Sequence, residues 1–433
     1  MDLLLKGGHV IDPDHLDGRM DILIKNGRIE AVIPSGENTG RFPDIFTAPD
    51  SLKIIDLAGK VIAPGFIDMH VHFRDPGHEH KETIQTGSLA AVYGGFTGVC
   101  TMPNTDPVND SPAVTTYILE KARAAGMTKI YPCGAISHAL EGARLTRFDD
   151  LKKAGAVALS DDGMPVTRSR LMRKALDIAK IYDLPVISHA EDLELAGKGV
   201  MNEGRIAEDL KFPGIPNAAE SIMVQRDIAL ADLTGARVHI AHVSTRESVA
   251  AIRAAKQAGI PVTAETAPHY FMLTHEAVRT CGTNAKMNPP LRSARDRAAI
   301  IQGLVDGTID AIATDHAPHH PDEKNVAFEK APNGIIGLET SVSLGLTLVA
   351  QGHLTLVDFI RKMSVNPSKI LNIPCGLNEN APADITVIDL NIQTRVHAES
   401  FQSKSRNTPF DGWMLTGGPV LTIVDGRIVH QTS

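Results

Sequence analysis

The chain is short of several things, and each shortage excludes a class of protein. It has four cysteines in 433 residues, Cys100, Cys133, Cys281 and Cys375, spread over its length with no C-x-x-C pair. That excludes a disulfide framework and predicts a reduced, intracellular protein. No apolar run approaches the roughly 18 residues of a membrane span. The opening residues, MDLLLKGGHVID, hold one three-leucine run and no cleavage-site pattern. The expectation is a cytoplasmic protein without signal peptide or membrane span. Positive charge is in deficit, with 43 Lys and Arg against 51 Asp and Glu and a net charge of -8. Non-specific binding to nucleic acid or to an anionic membrane needs the opposite field. The small basic cluster Arg292, Arg295 and Arg297 therefore reads as a solvated face. Also missing are a G-x-G-x-x-G after the first strand and a P-loop, which removes support for a nucleotide-binding open sheet.

What is present is ordinary globular composition, 43% hydrophobic and 22% charged. The length suits one barrel of about 250 residues plus a smaller domain. The first sixty residues hold short alternating strand candidates, LLLKGGHVI, DILIKNGRIEAVI and KIIDLAGKVI, with a turn at Asn26-Gly27. The last sixty hold ADITVIDL and PVLTIVDGRIVH, with a turn at Asp425-Gly426. The two ends, residues 1–60 and 375–433, are expected to pair into one small β-sandwich. Residues 61–374 alternate apolar strand candidates with helical patterns such as RSRLMRKALDIAKIY and ESVAAIRAAKQAG. The strand candidates fall at 61–70, 96–102, 128–135, 156–160, 185–189, 238–242, 261–265 and 309–314. Eight such strands predict an α/β fold, a (β/α)8 TIM-type barrel.

The C-terminal ends of these candidate strands carry the chemistry. The first ends in His70 and His72, with Arg74 beyond. The second gives Asn104, the fourth Asp161 and Asp162, the fifth His189, the sixth His242, and the eighth Asp315 with His316 and His319. In a barrel these ends converge on one face, where catalytic residues sit. In a strand, residues two apart point to the same side, so His70 and His72 are placed to grip one metal ion. Imidazoles and carboxylates are typical Zn²⁺ ligands, and four histidines with two aspartates exceed the needs of one ion. Two ions about 3.5–4 Å apart fit that count. Single residues keep plainer alternatives: Asp161 or Asp162 as a helix cap, Asn104 as a turn residue beside Pro103, His319 and His320 as loop histidines.

The motifs GFIDMHVHFRDPG, TMPNT, SDDG, ISHAED, AHVST, NPPLR and ATDHAPH together resemble the dihydroorotases, of the bacterial type within the amidohydrolase superfamily of cyclic-amide hydrolases. The resemblance runs over nearly the whole chain. It implies a barrel with a β-sandwich from both termini, and the reversible interconversion of N-carbamoyl-L-aspartate and L-dihydroorotate in pyrimidine biosynthesis. It implies Zn²⁺, one or two ions per subunit: His70, His72 and Asp315 on the first, His189 and His242 on the second, and Asp162 as the bridge. Asp162 is chosen over Asp161 by its spacing to His189 in the family pattern. Arg74, Asn104 and His319 are implied for the substrate carboxylate, and Asn288 for the pyrimidine ring. Backbone groups of Asn333 and Gly334 are implied there too, although the family often has an apolar residue where Asn333 stands.

The chemistry agrees with these residue types. Ring-amide hydrolysis needs a nucleophile at neutral pH, and bound Zn²⁺ lowers the pKa of water to about 7. Asp315 is suited to take a proton from that water and return it to the leaving nitrogen, as general base and then acid. Arg74 offers a fork that fits a carboxylate. The loop HHPDEKNVAFEKAPNG is either a lid or an ordinary connection. Hydantoinase-like and dihydropyrimidinase-like enzymes share the fold but use a carboxylated lysine as the bridge; AVALSDDG offers none at that strand end. Allantoinase is disfavoured on the same ground. A non-catalytic scaffold for aspartate transcarbamoylase is disfavoured because every candidate ligand is kept. A homodimer, and a catalytic chain that also binds aspartate transcarbamoylase, stay open.

Overall fold

The structure, a computed structural model, describes residues 2–36 and 52–432. Its N-terminal strands are β1 (Asp2–Asp12), β2 (Leu16–Lys25), β3 (Arg28–Pro34), β4 (Leu52–Asp56) and β5 (Val61–Pro64). The barrel strands are β6 (Phe66–Val71), β7 (Phe96–Thr101), β8 (Lys129–Ala135), β9 (Ala158–Ser160) and β10 (Val186–Ser188). A short parallel pair follows, β11 (Met201–Asn202) with β12 (Gly214–Ile215), and then β13 (Val238–Ile240), β14 (Val262–Thr266) and β15 (Ala311–Ile312) complete the barrel. The C-terminal strands are β16 (Ile385–Arg395), β17 (Met414–Val424) and β18 (Arg427–Gln431).

Both chain ends enter one sheet, in the order β18-β17-β16-β5-β1-β2-β3, with β4 paired to β1. Its apolar residues from both ends, among them Leu5, Ile22, Ile29, Ile385 and Ile423, share one buried cluster separate from the barrel core. Two hairpin turns of the sheet touch each other. Asn26-Gly27 and Asp425-Gly426 both adopt positive φ, as a tight hairpin turn requires. A Cβ on Gly426 would lie 2.6 Å from the Gly27 Cα, so this contact needs glycine on both sides. The expected strand 61–70 divides at Gly65: Val61–Pro64 pairs with β1 and β16, while Phe66–Val71 begins the barrel.

Eight parallel strands run β6-β7-β8-β9-β10-β13-β14-β15. The seam closes through a bridge between Val71 and His316 and a 2.8 Å bond from His72 N to His316 O. Buried Asp68 braces the same seam, accepting from the Thr314 N–H at 3.0 Å, the Thr314 hydroxyl at 2.5 Å and the His70 N–H at 3.0 Å. Small or slender side chains, Cys100, Cys133, Ala158, Ile187 and Ala311, form one cluster across these strands. Bulkier Val99, Leu159, Val186, Ile240 and Ile312 belong to the core shared with the helices. Helix 246–257 shows how that layer is specified: Thr245 caps it by accepting from the Ser248 N–H, and Val249, Ile252 and Ala255 form its buried face. Arg292, expected on a solvated face, is buried instead. It donates to Asn202 Oδ1 and Ile215 O, tying β11 to β12. No helix among the described residues is long and apolar enough to cross a membrane.

Candidate metal centre and active site

The strand ends meet at one mouth. His70 lies in β6 and His72 just beyond it, with ring centroids 5.3 Å apart, as the two-residue repeat requires. Arg74, His242 and Asp315 all take left-handed backbone, with φ of 62°, 35° and 49°. Such conformations are uncommon outside glycine and concentrate at functional sites. Here they occur where the chain leaves three different strands.

Asp162 is the hub. Its Oδ1 lies 3.3 Å from His70 Nε2, 3.5 Å from His189 Nδ1 and 3.5 Å from His242 Nε2, and its Oδ2 lies 3.5 Å from His72 Nε2. Among the described residues, two groups have the spacing to hold a metal ion: His70, His72 and Asp162, and Asp162, His189 and His242. They share Asp162. Asp315 stands beside the first group, its Oδ1 3.1 Å from His72 Nε2 and 3.7 Å from His70 Nε2. Neighbouring Asp161 faces away and accepts from the Ser137 N–H and hydroxyl; neither aspartate caps a helix.

The surrounding hydrogen bonds aim the ring nitrogens. His70 donates Nδ1–H to Glu265 Oε1 at 2.8 Å, and His72 donates Nδ1–H to Asn104 Oδ1 at 2.9 Å. Each bond leaves Nε2 as a lone-pair donor facing Asp162. His189 uses Nε2 on Glu191 Oε2 at 3.2 Å and turns Nδ1 to within 2.9 Å of His242 Nε2. His70 Nε2 and Asp162 Oδ1 are buried with no hydrogen-bond partner. Buried, unpaired polar atoms on two facing residues whose types suit a divalent cation fit a metal.

The electrostatics say the same. Burial opposes the charged form of His189, yet the Asp162 and Glu191 carboxylates push it up to about 10. His70 is likewise raised against its burial by Asp162 and Glu265. Burial disfavours ionised Asp162, and the histidines around it hold it well below the usual carboxylate range. The site is a nest of carboxylates that demands positive charge. A metal ion held by the imidazole lone pairs would supply it.

Above this cluster lies a cavity of about 240 Å³. Of the sequence-derived site residues, His72, Arg74, Asn104, Asp162, His189, His242, Asn288, Asp315, His319, Asn333 and Gly334 line it, and His70 is outside the lining. Arg74 Nε donates to Pro318 O at 3.2 Å, which sets the guanidinium beside His319. Burial lowers the Arg74 pKa to about 10, with Asp315 and Asp162 opposing, so it stays charged at neutral pH. Asn104 Nδ2 faces Asp162 at 3.4 Å, and Asn288 Nδ2 donates to Glu191 Oε2 at 3.0 Å. His319 Nε2 donates to Asn333 O at 2.7 Å. His316 leaves the mouth: Nε2 faces Glu82 at 3.4 Å and Nδ1 accepts from the Gly337 N–H.

Sequence reasoning missed Glu265 and Glu191, the carboxylates that orient His70 and His189. The rule that found the other residues would have found Glu265, since it lies at the end of the seventh candidate strand. Glu191 stands two residues after His189 in the same motif.

The model of the amidohydrolase family matches residues 61–429. A dihydroorotase of Desulforapulum autotrophicum is 53% identical over 98% of both chains, and one of Syntrophus aciditrophicus is 52% identical over the full length of both. This chain belongs to the dihydroorotases of the amidohydrolase family. It is therefore a hydrolase of cyclic amides, with a small-molecule substrate and a metal cofactor. Among solved structures, the L-hydantoinase (dihydropyrimidinase) of Arthrobacter aurescens superposes with a TM-score of 0.86 at 27% identity, covering 99% of this chain and 96% of the other. The dihydropyrimidinase of Brevibacillus agri gives 0.84 at 22% identity over 100% and 95%, a likeness of fold.

Proposed function

We propose that this dihydroorotase-family chain uses Zn²⁺ to interconvert N-carbamoyl-L-aspartate and L-dihydroorotate, a step of de novo pyrimidine biosynthesis. The observation that carries the reading is the pair of metal-capable groups sharing Asp162 beneath a cavity that holds one half-buried, charged arginine. His70, His72 and Asp315 would hold one ion, His189 and His242 the other, with Asp162 between them. Bound there, zinc supplies Lewis acidity and lowers the pKa of water to about 7.

The chain's own groups account for the rest. Arg74 receives the substrate carboxylate with two parallel donors, and His319 and Asn104 flank it. Asn288, fixed by Glu191, faces the ring, beside the Asn333–Gly334 backbone. Burial opposes ionisation of Asp315, but the His72 contact and the neighbouring histidines hold its carboxyl below the usual range. It is thus ionised at neutral pH and able to accept a proton from the attacking water. It then returns that proton to the ring nitrogen as the amide bond breaks, and ring closure reverses the path.

The fold likeness favours hydantoin hydrolysis as a second reading. Against it, the lysines nearest in sequence to the β9 end, Lys152 and Lys153, are exposed on the preceding helix, and the residue common to both metal-capable groups is an aspartate. The deciding experiment measures metal content of the purified protein together with ring opening of L-dihydroorotate and of hydantoin, with and without chelator. Zinc with chelator-sensitive turnover selective for dihydroorotate is expected. Preference for hydantoin would transfer the chain to the second reading.

A further inference from the structure

Residues 325–334 contain no helix or strand and little apolar periodicity, yet they deliver Asn333 and Gly334 to the cavity. Two buried lysines supply the order that the segment lacks. Lys286 Nζ donates to the carbonyls of Phe328, Glu329 and Ala331 at 2.7, 3.1 and 2.7 Å. Lys324 Nζ donates to those of Pro332 and Gly334, both at 3.0 Å. Each lysine is only 5% exposed, and neither forms an ion pair among the described residues. Their N–H donors are spent on main-chain carbonyls.

Asn407 completes the arrangement from the C-terminal segment, far along the chain. Its Oδ1 accepts from the His319 N–H at 3.2 Å, and its Nδ2 donates to Ala317 O at 3.1 Å and Gly334 O at 3.0 Å. It is 3% exposed. Gly334 O thus has two donors, Lys324 and Asn407, while the Gly334 N–H donates to Lys286 O at 2.9 Å. Asn333 O in turn holds the His319 ring. The bonds form a closed circuit: Asn407 to the His319 backbone, the His319 ring to Asn333 O, and Gly334 O back to Asn407 and Lys324. Packing reinforces it. Gly334 has φ +126°, and a Cβ there would stand 2.6 Å from the Ala317 Cβ, so the two chain segments touch directly.

We propose that Asn407 and Lys324 are positioning residues for substrate binding, locking His319 and the Asn333–Gly334 peptide into one preformed wall of the cavity. This inference rests on the reading of that wall as the side that receives the substrate's carboxylate and ring. Under it, residues 325–334 are a fixed wall, the ordinary connection of the two readings of this loop. Neither residue touches the reacting atoms, so each acts on binding and leaves the chemical step alone.

The test uses the full-length, metal-loaded protein and the variants Asn407→Ala, Lys324→Met and their combination. The readouts are kcat and KM for L-dihydroorotate, metal content, and amide hydrogen exchange in 317–319 and 328–336. Each single variant is expected to raise KM by about tenfold, the worth of one buried hydrogen bond, with kcat within about threefold and metal unchanged. Exchange should quicken in both segments. Because both side chains hold Gly334 O, the combined variant should raise KM by less than the product of the two. KM within twofold of wild type in folded single variants, or exchange unchanged in both segments, overturns the proposal. If Asn407→Ala does not fold, Lys324→Met decides alone by the same criteria. If wild-type protein does not turn over dihydroorotate, the functional reading falls, while hydrogen exchange still decides the lock.

Discussion

Replacing Arg74 by lysine keeps the charge and removes the fork. Arg74 is half-buried at the cavity wall, its Nε anchored on Pro318 O and its Nη2 beside His319. A substrate carboxylate meeting that edge forms two charge-assisted hydrogen bonds, each worth about 1.5–3 kcal/mol. Lysine can make one of them and has no second nitrogen for Pro318 O. The loss is therefore one such bond, about 1.5–3 kcal/mol, or roughly 10- to 150-fold in affinity. The scaffold around the position should persist, because the His78 N–H holds the Arg74 carbonyl at 2.8 Å through backbone alone. Steady-state kinetics with L-dihydroorotate should show KM raised by that factor, with metal content equal to wild type and a smaller change in kcat. Arg74→Met, which removes the charge as well, should cost more than Arg74→Lys. An unchanged KM in Arg74→Lys would refute the assignment of Arg74 to the carboxylate.

Three further outcomes are expected. Asp315→Ala should lower kcat by about 10²- to 10⁴-fold, the usual worth of a proton-transfer group, and near-normal kcat in a metal-replete variant would remove Asp315 from that role. Glu265→Ala should weaken metal binding by about 10- to 100-fold, because His70 loses the bond that fixes its tautomer; a competitive chelator titration reads this, and unchanged affinity would contradict it. The metal-stripped protein should respond to pH at both ends. His189 is raised from 6.5 to about 10, so its stabilisation is full below pH 6.5 and lost as pH rises through 10. Glu265 is lowered from 4.5 to about 2, its burial outweighed by His239 and His70, so its stabilisation is full above pH 4.5 and lost as pH falls towards 2. Melting temperatures of chelator-treated protein should fall from pH 6.5 to 10, and a flat profile there would argue against the protonated histidine cluster.

Much of this was legible before any coordinates. Strand–helix alternation announced the barrel, and the rule that a barrel's strand ends converge collected His70, His72, Asp162, His189, His242 and Asp315 from widely separated segments. The failures have physical causes. The run 61–70 is largely apolar on both sides of Pro64-Gly65, so it reads as one strand across the point where it passes from one sheet to the other. Arg292 looked solvated because charge is normally exposed; its burial depends on Asn202, Ile215 and Ser244, which only tertiary folding brings to it. Asn407 gave no signal at all, since an asparagine before a Thr-Pro pair reads as a turn.

The sequence alone therefore determined what is local or periodic: the strands, the helices, the paired His70 and His72, the hairpin turns, and the set of donor groups at the strand ends. Tertiary structure decided what depends on direction and on distance between remote segments. It turned Asp162 towards the histidines and Asp161 towards Ser137. It put Glu265 and Asn104 behind His70 and His72, so that both present Nε2. It also brought Asn407 to His319 and Gly334. A side chain's type is written in the chain, but the partner it meets is set by packing, and hydrogen bonds of about 3 Å admit only the partner that packing delivers.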